Sequence, residues 1–149
     1  MSTRREERTV LDRNGTVGVV DVVVPCFNDG AFLLEALGSL GADRARGQGV
    51  IIVNDGSTDP ATLDVLAGLR MRGFRVVDQA NGGLSAARNT GWRNSAAPYV
   101  LFLDADNRID PALLEKAAVL LDADPAVAVV YSDRVEFGER EGIVEQPEV

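Results

Sequence analysis

Short apolar runs rich in β-branched residues recur along this chain, and each is followed by a stretch with helical spacing. That alternation restricts the fold more than any other feature. The runs are Val19-Val20-Asp21-Val22-Val23-Val24, ending at Pro25; Val50-Ile51-Ile52-Val53; a weaker Phe74-Arg75-Val76-Val77; Tyr99-Val100-Leu101-Phe102-Leu103, the most hydrophobic; and Val127-Ala128-Val129-Val130-Tyr131. Between them, Phe32, Leu33, Ala36, Leu37 and Leu40 fall on one helical face, as do Leu63, Leu66 and Leu69. A further helix is expected over 84–94, after Gly82-Gly83. Asp59-Pro60 and Asp110-Pro111 each place an N-cap residue before proline at the first helical position, and the second pair opens a helix to about Leu121. Strands that are apolar throughout are buried on both faces. The expected fold class is therefore α/β, a mostly parallel Rossmann-like sheet with helices on both faces.

A chain of 149 residues is one domain's worth. Residues 1–18 begin with Arg4, Arg5, Glu6, Glu7 and Arg8, which alternate in sign without an apolar face, so they read as a flexible N-terminal segment. The domain is expected over 19–135, and 136–149, charged and without pattern, reads as a C-terminal extension. With 15 basic and 23 acidic residues the net charge is −8, which disfavours nonspecific nucleic-acid or anionic-membrane binding. The absence of histidine removes Ser-His-Asp triads, Cys-His dyads and imidazole metal sites. A single cysteine, Cys26, allows no internal disulfide and no zinc cluster, so any metal must be held by oxygen. No segment resembles a signal peptide, and the apolar runs fall far short of the ~20 residues that span a bilayer, so a cytoplasmic location is expected. One lysine, Lys116, stands against fourteen arginines, which reads as codon bias.

In open α/β sheets, ligands sit outside the carboxyl ends of the strands. Here those ends carry Pro25-Cys26-Phe27-Asn28-Asp29, Asn54-Asp55-Gly56-Ser57, Asp78 with Asn81-Gly82-Gly83, and Asp104-Ala105-Asp106-Asn107. Four consecutive loops would thus meet in one crevice. Asp104 and Asp106 leave a buried strand two residues apart and could hold a hard cation such as Mg²⁺ or Mn²⁺, or could cap a turn. Asp55 could accept bonds from a base or ribose or could complete a turn, whereas Asp59 and Asp110 read as helix caps. Free N–H groups after Gly82-Gly83 could attract an anion. Arg88, about one turn inside the helix, could reach a phosphate or base or pair with a surface acid. Neither a Walker loop nor a Gly-x-Gly-x-x-Gly fingerprint is present. Cys26, Trp92 and Phe102 read as core, and Phe27 as core or crevice.

Taken in order and spacing, Val22-Val23-Val24-Pro25-Cys26-Phe27-Asn28, Ile51-Ile52-Val53-Asn54-Asp55-Gly56-Ser57-Thr58-Asp59, Asn81-Gly82-Gly83-Leu84-Ser85-Ala86-Ala87-Arg88-Asn89 and Val100-Leu101-Phe102-Leu103-Asp104-Ala105-Asp106 resemble the family 2 glycosyltransferases of GT-A fold. The resemblance covers about residues 19–135. It implies a nucleotide-diphosphate sugar as donor, with UDP-sugar favoured, and Mn²⁺ or Mg²⁺ as cofactor. Pro25, Phe27 and Asn28 would line the nucleoside pocket, Asp55 would bind the base, and Gly83, Arg88 and Ala105 would help hold the nucleotide. Asp104 would lie at the ribose and metal, and Asp106 would ligate the metal. Members generally invert the anomeric centre by direct displacement, with a carboxylate deprotonating the acceptor hydroxyl. Asn54 departs from the family's usual Asp. The acceptor half and the base lie downstream of the matching region in the family. The chain therefore reads as a donor-binding half truncated before the acceptor half, with the base expected beyond Val149.

Two other classes compete with a transferase. A non-catalytic half-domain that only binds nucleotide-sugar would lack turnover, and a metal-dependent phosphatase would carry its Asp-x-Asp pair on the first strand, followed by Thr, rather than after the fourth with Asn107 next. The acceptor, saccharide or lipid-linked, is not written in the sequence. Exposed apolar surface at an incomplete sheet would favour a homo-oligomer, and peripheral membrane association would suit a polysaccharide-building enzyme.

Overall fold

The computed structural model describes residues 20–137 and 142–145. The expected flexibility of 1–18 and much of the 136–149 extension fall outside them. Strand β1 (Val20–Cys26) leads to helix α1 (Gly30–Gly38), a 3-10 turn at Arg44–Arg46, β2 (Val50–Asp55), α2 (Pro60–Met71), β3 (Arg75–Gln79), α3 (Leu84–Asn94), β4 (Tyr99–Phe102) and α4 (Ala112–Ala123). The four strands form one parallel sheet in the order β3-β2-β1-β4. Residues up to Leu114 form one compact unit and those from Glu115 a second.

The sheet explains why the strand runs are uniformly apolar. β1 is paired on both edges, Val23 lying opposite Ile51 on one side and Phe102 on the other. Val22, Val23 and Val24 are fully buried. Because side chains alternate along a strand, Val23, Ile51 and Val53 share one face, where they cluster with Ala87 of α3. Right-handed crossovers carry the chain from β1 to β2 to β3 with α1 and α2 on one side of the sheet. The return from β3 past β2 and β1 to β4 puts α3 on the other. Leu33, Ala36 and Leu37 of α1 and Leu66 and Leu69 of α2 supply the buried stripes of the first layer. α2 starts as its sequence dictates, with Asp59 as N-cap and Pro60 at the first position.

Three expectations are corrected. Residues 127–133 adopt no strand, so the apolar run at Val127–Tyr131 is not the fifth strand its composition suggests. Instead two three-residue strands, β5 (Arg134–Glu136) and β6 (Gly142–Val144), pair antiparallel in the second unit, too short for their apolar residues to stand out in a charged sequence. Trp92 is 58% exposed, since α3 buries the face bearing Ala87 and Gly91 and residue 92 lies beside it. Phe102 is 43% exposed because β4 is an edge strand paired only with β1.

α3 lies so close to β1 that a Cβ on Gly91 would fall 2.1 Å from Val23 Cγ1. Gly91→Ala should therefore destabilise the fold by roughly 2 kcal/mol through overpacking. Gly68, inside α2 with nothing near its Cβ position, is the control: Gly68→Ala should raise stability by roughly 0.5–1 kcal/mol. Urea midpoints of the two variants should move in opposite directions, and a neutral Gly91→Ala would refute the close packing.

Candidate active site

The four strand ends surround a cavity of about 460 Å³. The end of β1 contributes Pro25, Cys26, Phe27 and Asp29, and β2 contributes Asp55. The β3–α3 connection gives Asn81, Gly83, Leu84 and Ala87, and the segment after β4 gives Asp104, Ala105 and Asp106. Of the residues expected at the site, Pro25, Phe27, Asp55, Gly83, Asp104, Ala105 and Asp106 are brought together. Asn28 and Arg88 are not on the wall.

Asn28 acts behind it. Its φ of 60° is left-handed, a conformation asparagine tolerates better than other side-chain-bearing residues. Its Oδ1 accepts from the backbone N–H of Thr58 at 2.8 Å and of Asp59 at 2.9 Å, and its own N–H donates to Ser57 Oγ. The turn after β1 is thereby tied to the turn after β2. A second tie lies deeper. Asp59 Oδ2 accepts from Thr62 N and Oγ1, and Thr62 Oγ1 accepts from Gly30 N. A Cβ on Gly30 would stand 2.6 Å from Thr62 Cα, so only glycine fits there.

Asn54 explains its own departure from the family pattern. Its Nδ2 donates to Asp78 Oδ1 at 2.8 Å and its Oδ1 accepts from Ser57 N. An aspartate at 54 would oppose Asp78 with a second carboxylate. The Asn54 bond, with Arg70 beside it, holds the Asp78 carboxyl below the usual range despite some burial.

Asp55 is 4% exposed. Its Oδ1 accepts from Gln79 Nε2 at 2.7 Å and from Gly82 N at 2.8 Å, and its Oδ2 accepts from Gly83 N at 2.8 Å. The Gly82 and Gly83 N–H groups are thus spent on Asp55. Burial pushes this carboxyl upward, but the bonds from Gly82, Gln79 and Gly83 outweigh it and leave the group below its ordinary value. Gly56, at φ 71°, makes the close approach possible, since a Cβ there would lie 2.7 Å from Asn81 N.

At the other end, Arg88 Nη2 donates to Asp104 Oδ1 at 2.6 Å, with each side chain about one third exposed. Arg88 Nε is buried without a partner, a cost on the order of 1–3 kcal/mol. Asp29 is pushed up, first by burial and then by the negative charge of Asp106. Burial likewise raises the Cys26 thiol, consistent with a packed residue rather than a nucleophile. Among the described residues no three acidic or thiol side chains converge as a metal cage. Asp104 and Asp106 nonetheless fit a hard cation that takes one or two carboxylates and completes its shell with substrate phosphates and water. Reading the sequence placed Asn81 at the crevice but missed Leu84 and Ala87 as wall residues, and Gln79 and Gly82 as partners of Asp55. The signal was the Asn-Gly-Gly turn directly after β3, which brings backbone N–H groups to the end of β2.

The lowered position of Asp55 fixes a pH dependence. A carboxyl held below its unfolded value contributes stability that is present above about pH 4 and lost as pH falls through the folded value. Asp55→Ala should lower stability by at least about 2 kcal/mol near neutral pH, because two glycine N–H groups lose their acceptor. The gap between wild type and variant should narrow below about pH 4. Urea titrations at several pH values would test this, and a gap independent of pH would overturn the assignment.

The model of the Glycosyl transferase family 2 matches residues 21–147. Glycosyltransferase GlyA of Streptococcus pneumoniae is 36% identical over 129 residues, which is 83% of this chain and 18% of that protein. Among solved structures, S. aureus TarS 1–349 in complex with UDP is 30% identical with a TM-score of 0.57, over 71% of this chain and 32% of the TarS chain. Its complex with UDP-GlcNAc aligns equally well. The mannosyltransferase PcManGT of Pyrobaculum calidifontis, solved with GDP-Man and Mn²⁺, shares the fold at 24% identity and a TM-score of 0.57, over 80% of this chain and 35% of that one. The chain thus spans between about a fifth and a third of the length of these relatives. The parallel sheet, the cavity at its carboxyl ends and the family match agree: this chain belongs to glycosyl transferase family 2.

Proposed function

We propose that the cavity is the donor site of a metal-dependent, inverting glycosyltransferase that uses a UDP-sugar. The observation that carries this reading is the placement of Asp55 and the Asp104-Ala105-Asp106 segment on the wall of one cavity at the strand ends. Support for uridine comes from TarS, 30% identical and solved with UDP and with UDP-GlcNAc. In this reading Pro25, Phe27, Asp55 and Gly83 form the nucleoside end. Three of the roughly four lone-pair sites on Asp55 are already used, leaving one for a base N–H. Asn28 contributes by holding the loop at 57–59 in place, and Ala105 keeps the wall open beside the ribose. Asp104 and Asp106 would hold Mn²⁺ or Mg²⁺, which when bound neutralises charge on the departing diphosphate. The acceptor hydroxyl, from a saccharide or a lipid-linked saccharide, attacks the anomeric carbon from the face opposite the diphosphate, its proton passing to a carboxylate base as the bond to the diphosphate breaks, and the centre inverts. Among the described residues no helix is long and apolar enough to cross a membrane.

Titration calorimetry with UDP, GDP and dTDP, each with and without Mn²⁺, tests the reading. UDP should bind best, and Mn²⁺ should tighten it. Asp106→Ala should remove most of the metal's effect, about tenfold or more, while leaving the fold intact because the side chain is exposed. Binding of none of the three, or equal binding with and without metal, would overturn it.

A further inference from the structure

Arg88 was expected to hold the nucleotide, but the cavity wall includes Asp104 and not Arg88. We propose that Arg88 is a positioning residue that fixes the side chain of Asp104 from behind and presents its second oxygen to the ligand. The inference rests on the donor-site reading above.

The backbone at Asp104 is already fixed. Leu103 N donates to Val23 O, extending the β1–β4 ladder, and Asn107 N donates to Asp104 O, closing the turn. What remains free is the rotation of a short, partly exposed side chain. The bond from Arg88 Nη2 to Oδ1 removes that freedom. Oδ2 has no bond from the described residues, so the rotamer that satisfies Arg88 also leaves one oxygen to offer.

Arg88 is itself well anchored. It lies on α3 between Ala87, fully buried against the sheet, and Gly91, whose close approach to Val23 sets the helix against β1. Its Nε is buried and unpaired, so the guanidinium is not oriented by its own hydrogen-bonding needs. The Asp104 bond is what orients it. Second partners of metal-binding carboxylates typically change metal affinity by about 10–100-fold when removed. A direct phosphate contact would instead weaken the nucleotide whether or not metal is present.

A double-mutant cycle on the 149-residue chain separates the two roles. UDP binding is measured by calorimetry with and without Mn²⁺ for wild type, Arg88→Gln, Asp104→Asn and the double variant, with circular dichroism to confirm folding. Arg88→Gln should cut the Mn²⁺-dependent gain in UDP affinity about tenfold or more and change metal-free affinity less than about threefold. The double variant should be no worse than Asp104→Asn alone. Arg88→Lys should recover part of the gain, since an ammonium restores a single charge-assisted bond without the planar fork, and it carries the comparison if Arg88→Gln does not fold. Equal losses with and without Mn²⁺, or losses that multiply in the double variant, would overturn the positioning role while sparing the donor site. A wild-type chain that binds no nucleotide would overturn both.

Discussion

The whole arrangement depends on β1 being enclosed on both edges and both faces. Val22, Val23 and Val24 bury completely, and the strand shares ladders with β2 and β4. That enclosure fixes where β1 ends, and with it where Pro25, Cys26 and Phe27 enter the cavity. It also fixes α3, because Gly91 lets that helix touch Val23 directly. A helix set by contact with the central strand delivers Ala87 and Leu84 to the wall and Arg88 to Asp104. Fully burying one valine is worth roughly 1.5–3 kcal/mol, so the three valines together outweigh any single polar bond at the cavity.

The polar residues above the sheet serve a different purpose. A parallel sheet leaves its strand-end loops to be held by side chains, and here each loop is tied to its neighbour. Asn28 holds the turn after β2, Thr62 receives the start of α1, Asn54 bonds to the end of β3, and Asp55 gathers the glycines before α3. These bonds set the cavity before any ligand arrives, which limits the ordering that binding must cost. Asn28 and Arg88, which the family resemblance assigns to the nucleotide, also bond within this framework.

Much of this was legible in the sequence because it follows from local rules. Apolar runs two-sided in composition predicted the parallel strands, and Asp59-Pro60 predicted the start of α2 to the residue. The strand-end clusters predicted most of the cavity wall. What could not be read was anything set by pairing across distance. Val127–Tyr131 has strand composition yet forms no strand, while β5 and β6 pair through three-residue segments too short to read as strands. Trp92 and Phe102 looked like core because an apolar residue does not say which helix face is buried or which strand is the edge. The bond between Arg88 and Asp104 likewise depends on where α3 sits against β1, which no motif encodes.

The electrostatics of the cavity bear on how a diphosphate could enter it. Asp29, Asp55, Asp104 and Asp106 all reach the wall, and among the described residues no lysine or arginine does. Arg88 offsets part of the charge on Asp104, but from behind and through one bond. Asp55 is stabilised as an anion by its own three donors, so it adds no demand for a counterion. Asp106 and Asp29 have no such compensation, and Asp106 raises its neighbour. A diphosphate approaching Asp104 and Asp106 would meet like charge in a partly desolvated space, where repulsion is less screened than in bulk water. A divalent cation shared between those carboxylates and the phosphates would reverse the sign of that interaction. If the cavity is the donor site proposed above, this charge pattern favours a nucleotide accompanied by a cation over a bare one.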